Sequence, residues 1–223
     1  MVAAAEPGGT RSKILRAAAE LFLSIGFEKS TISKIADTAE ASRGSVCFFF
    51  KDKEALLCEL VTHMLDRQYF ATKELLKDKT EDPILFYAAE TVLQLHLAEN
   101  SEQIREMYNI SYSMKGSPSP IFYSVTSKLE RLFGQIHPQW QTRDFYEREI
   151  STAGIMRNHM SVPCDMYFTM ERKIRVFLES ALLVMEVPRE KIEEAINFVM
   201  QFDWNCVATS IIDNMLPYLE SKI

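Results

Sequence analysis

Hydrophobic residues recur at helical spacing along most of the chain, beginning close to its start. The first such pattern predicts a helix over Arg11–Ile25, with Thr10 as its N-cap and Gly26 as its end. The apolar face of this helix consists of Ile14, Ala17, Ala18, Leu21 and Phe22.

Two short helices with a tight turn between them follow the first helix. Thr31 is placed to cap one of them, Glu40 lies in the turn, and Ser42 is placed to cap the other, which runs over Arg43–Phe50. Two short helices braced by a longer one predict a helix-turn-helix over about Thr31–Phe50. In this motif the second short helix enters the major groove of duplex DNA.

The rest of the chain has the pattern of a bundle of longer helices, with Gly116–Pro120 and Pro188 as two of the breakers between them. The predicted bounds are Lys53–Asp78, Pro83–Glu99, Glu102–Met114, Ile121–Gln135, Arg143–Ser161, Met166–Val187 and Arg189–Leu219, and the last segment is compatible with an internal bend. The sequence therefore predicts an all-α protein in three parts. These are a flexible tail over residues 1–9, a three-helix domain over residues 10–56 (the head) and a helical domain over residues 57–223 (the body).

Composition agrees with a helical globular protein. Hydrophobic residues make up 47% of the chain and charged residues 25%, and seven Gly and eight Pro are too few for a turn-rich β protein of this length. The chain has no apolar run long enough to span a membrane and no secretory signal at its start, so we expect a cytoplasmic protein. The cysteines are then free thiols at Cys47, Cys58, Cys164 and Cys206.

Charge is distributed unevenly between the two predicted domains. The formal net charge of the chain is −6: the head carries +2, the body −7, and Glu6 in the tail the remaining −1. A mildly basic head on an acidic body is the asymmetry expected when only the head meets DNA.

The N-terminal stretch resembles the TetR family of bacterial repressors over about a fifth of the chain. The matching segments are Thr10–Phe27, Thr31–Ala39, Ser42–Val46 and Phe50–Leu57. The resemblance implies a three-helix DNA-binding head, a connecting fourth helix and a larger helical domain that binds an effector and dimerises. It also implies that a dimer binds a near-palindromic operator, and that a small ligand in the body changes the spacing of the heads and releases the DNA.

The resemblance also implies a set of DNA contacts. Arg43 would bond a guanine through both of its terminal nitrogens, Gly44 would permit close approach to the DNA backbone, and Lys53 at the start of the fourth helix would hold a phosphate. The complete set of candidate DNA-binding residues is Ser33, Arg43, Gly44, Ser45, Phe48, Phe49 and Lys53.

The chain departs from the family pattern inside the motif. Cys47-Phe48-Phe49-Phe50 stands where the family commonly has Tyr-x-Tyr-Phe, so two phenol hydroxyls that would bond phosphates are missing, although a Phe ring still suits a thymine methyl. Glu40 stands where the family usually has Gly. We therefore expect an altered operator preference or weaker non-specific binding. Cys47 has two interpretations: a redox switch on the recognition helix, or a small, half-buried side chain in place of Tyr. We favour the second.

Candidate effector contacts come from polar and adaptable side chains in the body, where every methionine except Met1 lies. A body rich in methionine is compatible with either an adaptable, apolar effector pocket or an ordinary core. Glu90 and His96 interrupt an apolar helix and suit either an effector contact, including a cationic one, or an internal pair. The candidate effector contacts are Glu90, His96, Tyr108, Tyr112, Met156 and His159.

The function that these patterns favour is that of a transcriptional regulator, and more narrowly a repressor responsive to a largely apolar small molecule. It would bind a palindromic duplex operator as a homodimer, through a four-helix interface formed by about 166–187 and 189–219. Two alternatives remain: a helical protein-interaction module with a degenerate head, and a helical enzyme. No catalytic, cofactor or zinc-ligand motif is present, so we expect neither an enzyme nor a cofactor.

Overall fold

The computed structural model describes residues 9–114 and 120–223, and all regular structure within those ranges is helical, as the sequence predicts. The tail over residues 1–8 and most of the breaker at 116–120 lie outside the described residues. In chain order the helices are α1 (Thr10–Ile25), α2 (Ile32–Thr38), α3 (Arg43–Phe49), α4 (Lys53–Leu76), α5 (Pro83–Asn100), α6 (Glu102–Ser111), α7 (Pro120–Phe133), α8 (Thr142–Ser161), α9 (Met170–Val184), α10 (Arg189–Val199), α11 (Trp204–Asp213) and α12 (Met215–Lys222).

Helices α1–α3 form a small bundle around apolar side chains of all three. Ile14 and Phe22 of α1, Ile35 of α2 and Val46 of α3 are fully buried there. Helix α1 is preceded by Gly9 rather than capped by Thr10, which lies inside the helix, so that predicted cap is wrong.

Helix α4 leads from the head into the body, where α5 is the central helix. Asp52 caps α4, accepting a hydrogen bond from the Ala55 amide at 2.8 Å. Helix α5 is apolar on almost every side and packs against α4, α6, α7, α8, α9, α10 and α11, as expected of a helix with no solvent face.

The predicted segment over Arg189–Leu219 is helical but interrupted, in agreement with an internal bend: two breaks divide it into α10, α11 and α12, so a single continuous helix there is wrong. At the first, the Asp203 carboxylate accepts from the Cys206 amide at 3.0 Å and starts a new helix. The Trp204 ring N–H satisfies the Val199 carbonyl at 2.7 Å. At the second, Pro217 has no amide hydrogen to donate to the preceding turn, and the helix breaks at Asn214.

The predicted helix over Met166–Val187 is too long at both ends, since α9 covers Met170–Val184. The Asp165 carboxylate accepts from the amides of Tyr167 and Phe168, both at 2.7 Å, which holds residues 165–168 in a turn. The Thr169 hydroxyl then caps α9.

Helix α12 returns to the head and packs against α1 and α4. The Ser12 hydroxyl donates to the Ile223 carbonyl at 2.9 Å, and Arg16 pairs with Glu220 at 3.8 Å. Among the described helices, none combines the length and the apolar character needed to cross a bilayer.

Candidate DNA-binding surface and interior cavity

The turn between α2 and α3 is held by side-chain caps on both helices. The Thr31 hydroxyl accepts from the Lys34 amide at 3.2 Å, and the Ser42 hydroxyl accepts from the Ser45 amide at 3.0 Å, as the sequence predicts for both caps. Between them Glu40 adopts a φ of +52°, in the left-handed region that favours glycine. The turn therefore carries both a strained backbone and a negative charge at the position where the related family usually has Gly.

The exposed face of α3 is small and largely apolar. Val46 and Phe50 are buried together against the head core, which turns Cys47, Phe48 and Phe49 outwards. Phe48 is 82% exposed, and its ring meets the Phe49 ring edge to face at 5.1 Å between centroids. This face can offer aromatic contact to thymine methyls but lacks phenol hydroxyls.

Arg43, at the start of α3, is the exposed cation on that face. Its Nη2 donates a hydrogen bond to the Ser33 hydroxyl of α2, so these two candidate DNA contacts lie side by side. Gly44 is exposed next to Arg43, and the Ser45 hydroxyl is within 2.9 Å of the Ser42 hydroxyl. Helix α3 thus presents its polar groups at one end and its aromatic rings at the other.

Lys53 is engaged within the head. Its ammonium donates to the carbonyl of Phe27 at 2.9 Å and to that of Ser30 at 3.0 Å, and it lies 3.9 Å from the centre of the Phe27 ring. Two of its three N–H groups are therefore used to hold the turn after α1. The neighbouring Lys51 is exposed.

Cys47 is exposed on α3, so the expectation of a half-buried side chain is wrong. Val46 and Phe50 occupy the inward positions of this short helix, so Cys47, which directly follows Val46, points to solvent.

An interior cavity of about 50 Å³ lies in the body, between α4, α5, α7, α8, α9 and the end of α6. This volume suits a few water molecules. Most of the lining side chains are polar, which is unusual for a bundle core: Gln68, Tyr87, Glu90, Thr91, Gln94, Tyr112, Lys128, Glu149 and Thr152. The apolar remainder is Leu65, Val125, Leu129, Ala153, Met156 and Phe177.

Two carboxylates in the cavity wall differ in their partners. Glu90 forms an ion pair with Lys128 of α7. Glu149 of α8 is 4% exposed, and among the described residues the one side-chain donor near its carboxylate is the Thr152 hydroxyl, at 3.4 Å. Burial raises the pKa of Glu149 to about 8, and the more distant charge of Lys128 only partly offsets this.

Three tyrosines lie close to the carboxylates: Tyr87 and Tyr108 are buried, and Tyr112 is partly buried. Burial raises the pKa values of Tyr87, Tyr108 and Tyr112 far above their usual range, so each remains a neutral phenol. Gln94 donates to the Tyr112 hydroxyl at 3.1 Å, and the Tyr108 hydroxyl donates to Gln68 at 3.4 Å. These bonds hold the polar wall in one arrangement.

The six predicted effector contacts do not form one site. Glu90, Tyr112 and Met156 line the cavity, and Tyr108 lies behind its wall through Gln68. His96 is not part of the lining, and burial lowers its pKa to about 4, which keeps the ring neutral. The His159 Nδ1 lies 2.9 Å from the Ile155 carbonyl, and its ring faces Phe177.

Sequence reasoning missed Glu149 and Lys128, the two other charged groups of the cavity. A signal for Glu149 is present in the sequence, since it stands between Phe145 and Met156 on the apolar stripe of α8. Lys128 gives no such signal, because a lysine on an amphipathic helix ordinarily marks the solvent face.

A carboxylate of the body reaches into the head. Glu106 of α6 accepts hydrogen bonds from the amides of Phe27 at 2.8 Å and Glu28 at 3.1 Å. Gly26, with φ of +88°, allows this approach, since a Cβ there would lie 2.6 Å from Glu106 Oε2. Helix α6 ends at Tyr112 in the cavity wall, so one helix touches both regions.

Comparison with known proteins finds a family match within the head and the start of α4. The family model for bacterial regulatory proteins of the tetR family matches residues 14–60. A comparison with curated protein sequences found no match.

Among solved structures, the chain is similar to RolR in complex with resorcinol, with a TM-score of 0.64, 17% identity and coverage of 86% of this chain and 94% of that one. It is also similar to FadR from Thermus thermophilus, a TetR family transcriptional repressor in complex with lauroyl-CoA. The TM-score is 0.58 and the identity 19%, with coverage of 80% of this chain and 96% of that one. Identities this low show a shared fold. Residues 14–60 therefore match the model of the tetR family of bacterial regulatory proteins, and the overall fold of the chain is similar to that of RolR and of the Thermus FadR.

Proposed function

We propose that this protein is a ligand-responsive repressor that binds a near-palindromic DNA operator as a homodimer. In this proposal residues 10–56 are the DNA-binding domain, and residues 57–223 bind the effector and form the dimer; no catalytic step is involved. The observation that carries the proposal is the exposed face of α3, where Arg43 and Phe48 stand clear of the head core. RolR and the Thermus FadR were each solved with a small molecule, which supports the ligand-responsive part.

The DNA contacts divide into two kinds. Arg43 bonds a guanine in the major groove, while Phe48 and Phe49 contact thymine methyls. Ser33, Gly44, Ser45, Lys51 and Lys53 position the head on phosphates. Lys53 shares its ammonium with two carbonyls, so the exposed Lys51 is the stronger phosphate contact of the two lysines.

The dimer uses the exposed face of α8 and α9 rather than the C-terminal segment. Ile150 of α8 is 50% exposed, and Val176 and Leu183 of α9 are more than 40% exposed, on two helices that pack side by side. The apolar stripes of α10 and α11 are already buried within the chain, against α5. A two-fold pairing of α8 and α9 buries an apolar patch that a monomer leaves in water.

The dimer proposal is tested by sedimentation equilibrium of the parent, Leu183→Glu and a matched control, Met200→Glu, which changes another exposed apolar residue. We expect a dimer for the parent and for Met200→Glu, and a monomer for Leu183→Glu. A monomeric parent would contradict the proposal, as would a dimer that persists unchanged in Leu183→Glu.

Helix α6 couples the effector to the DNA. A ligand in the cavity displaces Tyr112 at the end of α6, and Glu106 on the same helix transmits this shift to the amides of Phe27 and Glu28. In a dimer, a rotation of each head changes the distance between the two α3 helices. That distance must match about one helical turn of DNA, about 34–36 Å, for both half-sites to be read.

The test of the DNA-binding function is selection of bound duplexes from a random DNA pool at physiological salt. We expect a palindrome with a fixed half-site spacing. Arg43→Ala should relax one base position, whereas Arg189→Ala, an exposed arginine of α10, should select the same palindrome as the parent. A folded, dimeric protein that selects no consensus, alone or with cell extract, would instead favour a protein-interaction module with a degenerate head.

A further inference from the structure

We propose that the effector is a small organic monocation, whose charged nitrogen binds the buried Glu149 carboxylate in the cavity of the body. This inference rests on the proposed ligand-responsive function and names the chemical class of the ligand. It refines the expectation of a largely apolar effector by adding one cationic end.

The charges of the cavity wall are unequal. Among the described lining residues there are two carboxylates, Glu90 and Glu149, and a single cation, Lys128. Glu90 takes Lys128 in an ion pair, which leaves Glu149 without a cationic partner. One positive charge is therefore lacking when both carboxylates are ionised.

The hydrogen bonding of Glu149 is also incomplete. The Thr152 hydroxyl lies 3.4 Å from the carboxylate but 3.0 Å from the Arg148 carbonyl, its usual partner one turn back in the helix. A hydroxyl has one hydrogen to donate, and the shorter distance favours the carbonyl. The carboxylate is thus a buried acceptor, 4% exposed, that faces the cavity without a strong donor.

A proton can fill this role. A buried carboxylate without a cationic partner binds a proton rather than remaining charged, which is why burial raises the pKa of Glu149 to about 8. A ligand cation replaces that proton and forms the ion pair that the wall lacks. An anionic ligand would meet two acidic side chains and a lysine that is already paired.

The remaining wall suits an ammonium group with an apolar body. The rings of Tyr87, Tyr112 and Phe177 offer faces that attract a cation, and the tyrosine hydroxyls add acceptors for the further N–H groups of an ammonium. Met156 provides an adaptable apolar contact.

The volume of the cavity and that of an adjacent groove set the size of the ligand. The cavity of about 50 Å³ holds little more than the charged group. A groove of about 320 Å³ between α4 and α7 shares Leu65, Val125 and Lys128 with it. These three side chains separate the two spaces, so their displacement would let the apolar part of a ligand extend into the groove, towards Tyr69 and Phe70.

The test is calorimetric titration of the full-length protein at about pH 7 with three matched sets of probes. The cations are methylammonium, n-butylammonium and benzylammonium, and each is compared with its alcohol and its carboxylate. We expect at least one ammonium to bind roughly tenfold or more tightly than its alcohol, and no carboxylate to bind. Glu149→Gln should lose this preference, and Glu147→Gln, an exposed glutamate of the same helix, should keep it.

Proton release provides a second readout. Titrations in buffers of different ionisation enthalpy should show close to one proton released per ligand by the parent and none by Glu149→Gln. Glu149→Asp keeps the charge on a shorter side chain, and it should retain the preference for the cation even if affinity falls. This variant keeps the test decisive if Glu149→Gln folds poorly.

The proposal is overturned if no ammonium binds, if an alcohol or carboxylate binds as tightly as its ammonium, or if Glu149→Gln keeps the preference. These outcomes are separable from failure of the repressor function. If the protein binds an operator and a neutral or anionic compound releases it, the cationic effector is contradicted but the repressor function is not. If the protein binds the ammonium but selects no operator, the repressor function alone is contradicted.

Discussion

The head and the body use their polar side chains in opposite ways. On α3 of the head, Arg43 faces solvent at one end of a surface dominated by Phe48, and its chemistry is available to any partner that approaches. In the body, Glu90, Lys128 and Glu149 face inward around a small cavity. Water competes for the groups of the head, whereas in the body Glu90 pairs with Lys128 and burial raises the pKa of Glu149. The head therefore presents its polar groups to solvent, and the body encloses them.

The largest expected effect tests ionisation in the body. Because the folded-state pKa of Glu149 is raised from 4.5 to about 8, the folded protein holds a proton over that range which the unfolded chain has lost. The contribution of this group to stability is therefore full below about pH 4.5 and declines as pH rises to about 8. Relative to the parent, Glu149→Gln should gain at most about 5 kcal/mol across this range.

Urea unfolding at a series of pH values measures this difference, with Glu147→Gln as the control on the exposed side of α8. Parallel pH profiles for the parent and Glu149→Gln would show that Glu149 is ionised normally, and the contrast between head and body would then lose its main support.

A smaller effect is expected on the head. Arg43→Ala should weaken binding to the selected operator by about 1–3 kcal/mol and relax specificity at one base pair, because a bidentate contact to guanine is lost. Fluorescence anisotropy at fixed salt measures the affinity, with Arg189→Ala as the control. Should Arg43→Ala bind the operator as tightly as the parent, the arginine would have no place in the interface.

A substitution at the contact between α6 of the body and the head should have an effect of similar or smaller size. Glu106→Ala removes the acceptor for two amides of the head, at Phe27 and Glu28, and should cost about 1–3 kcal/mol of stability. It should also reduce the ability of a bound ligand to weaken operator binding. Glu102→Ala, on the same helix, serves as the control. Unchanged coupling in Glu106→Ala would exclude this contact as the route between cavity and DNA.

The smallest effect concerns the turn of the helix-turn-helix. Glu40→Gly removes a side chain from a left-handed backbone position and should raise the free energy of unfolding by about 1 kcal/mol. Glu40→Ala keeps the strain and should leave stability nearly unchanged, while both variants should bind DNA more tightly because a negative charge near the phosphates is gone. Equal stability of the two variants would argue that the turn is unstrained.

Local signals in the sequence were sufficient for the three helices of the head, although not for the Thr10 cap of α1 or the exposure of Cys47. Thr31, Ser42 and Asp52 cap their helices because a short polar side chain before an apolar pattern can satisfy free amides within its own turn. In the C-terminal segment the signals were present but weak. Asp203 and Pro217 interrupt a continuous helical pattern, and each alone is compatible with a helix. At Asp203 the structure adds the hydrogen bond from the Trp204 ring to the Val199 carbonyl, which the sequence does not reveal.

The cavity could be predicted only in part. Glu90 was found because a carboxylate among apolar neighbours on α5 stands out, and Tyr112 and Met156 were found because the body is rich in aromatic residues and methionine. His96 and His159 were equally plausible by pattern but fall outside the lining. The helical period tells which side of its own helix a residue occupies, and it says nothing about which other helix that side meets.

The sequence by itself determined the helices of the head, the caps of α2 and α3 and the family match of residues 14–60, because these depend on contacts between residues close in the chain. Only the tertiary structure decided that Glu90, Lys128 and Glu149, carried by α5, α7 and α8, meet around one cavity, and that Lys53 is held by the carbonyls of Phe27 and Ser30. The physical reason is that burial and charge pairing are properties of the assembled packing. A carboxylate acquires a raised pKa only when several distant segments together exclude water from it.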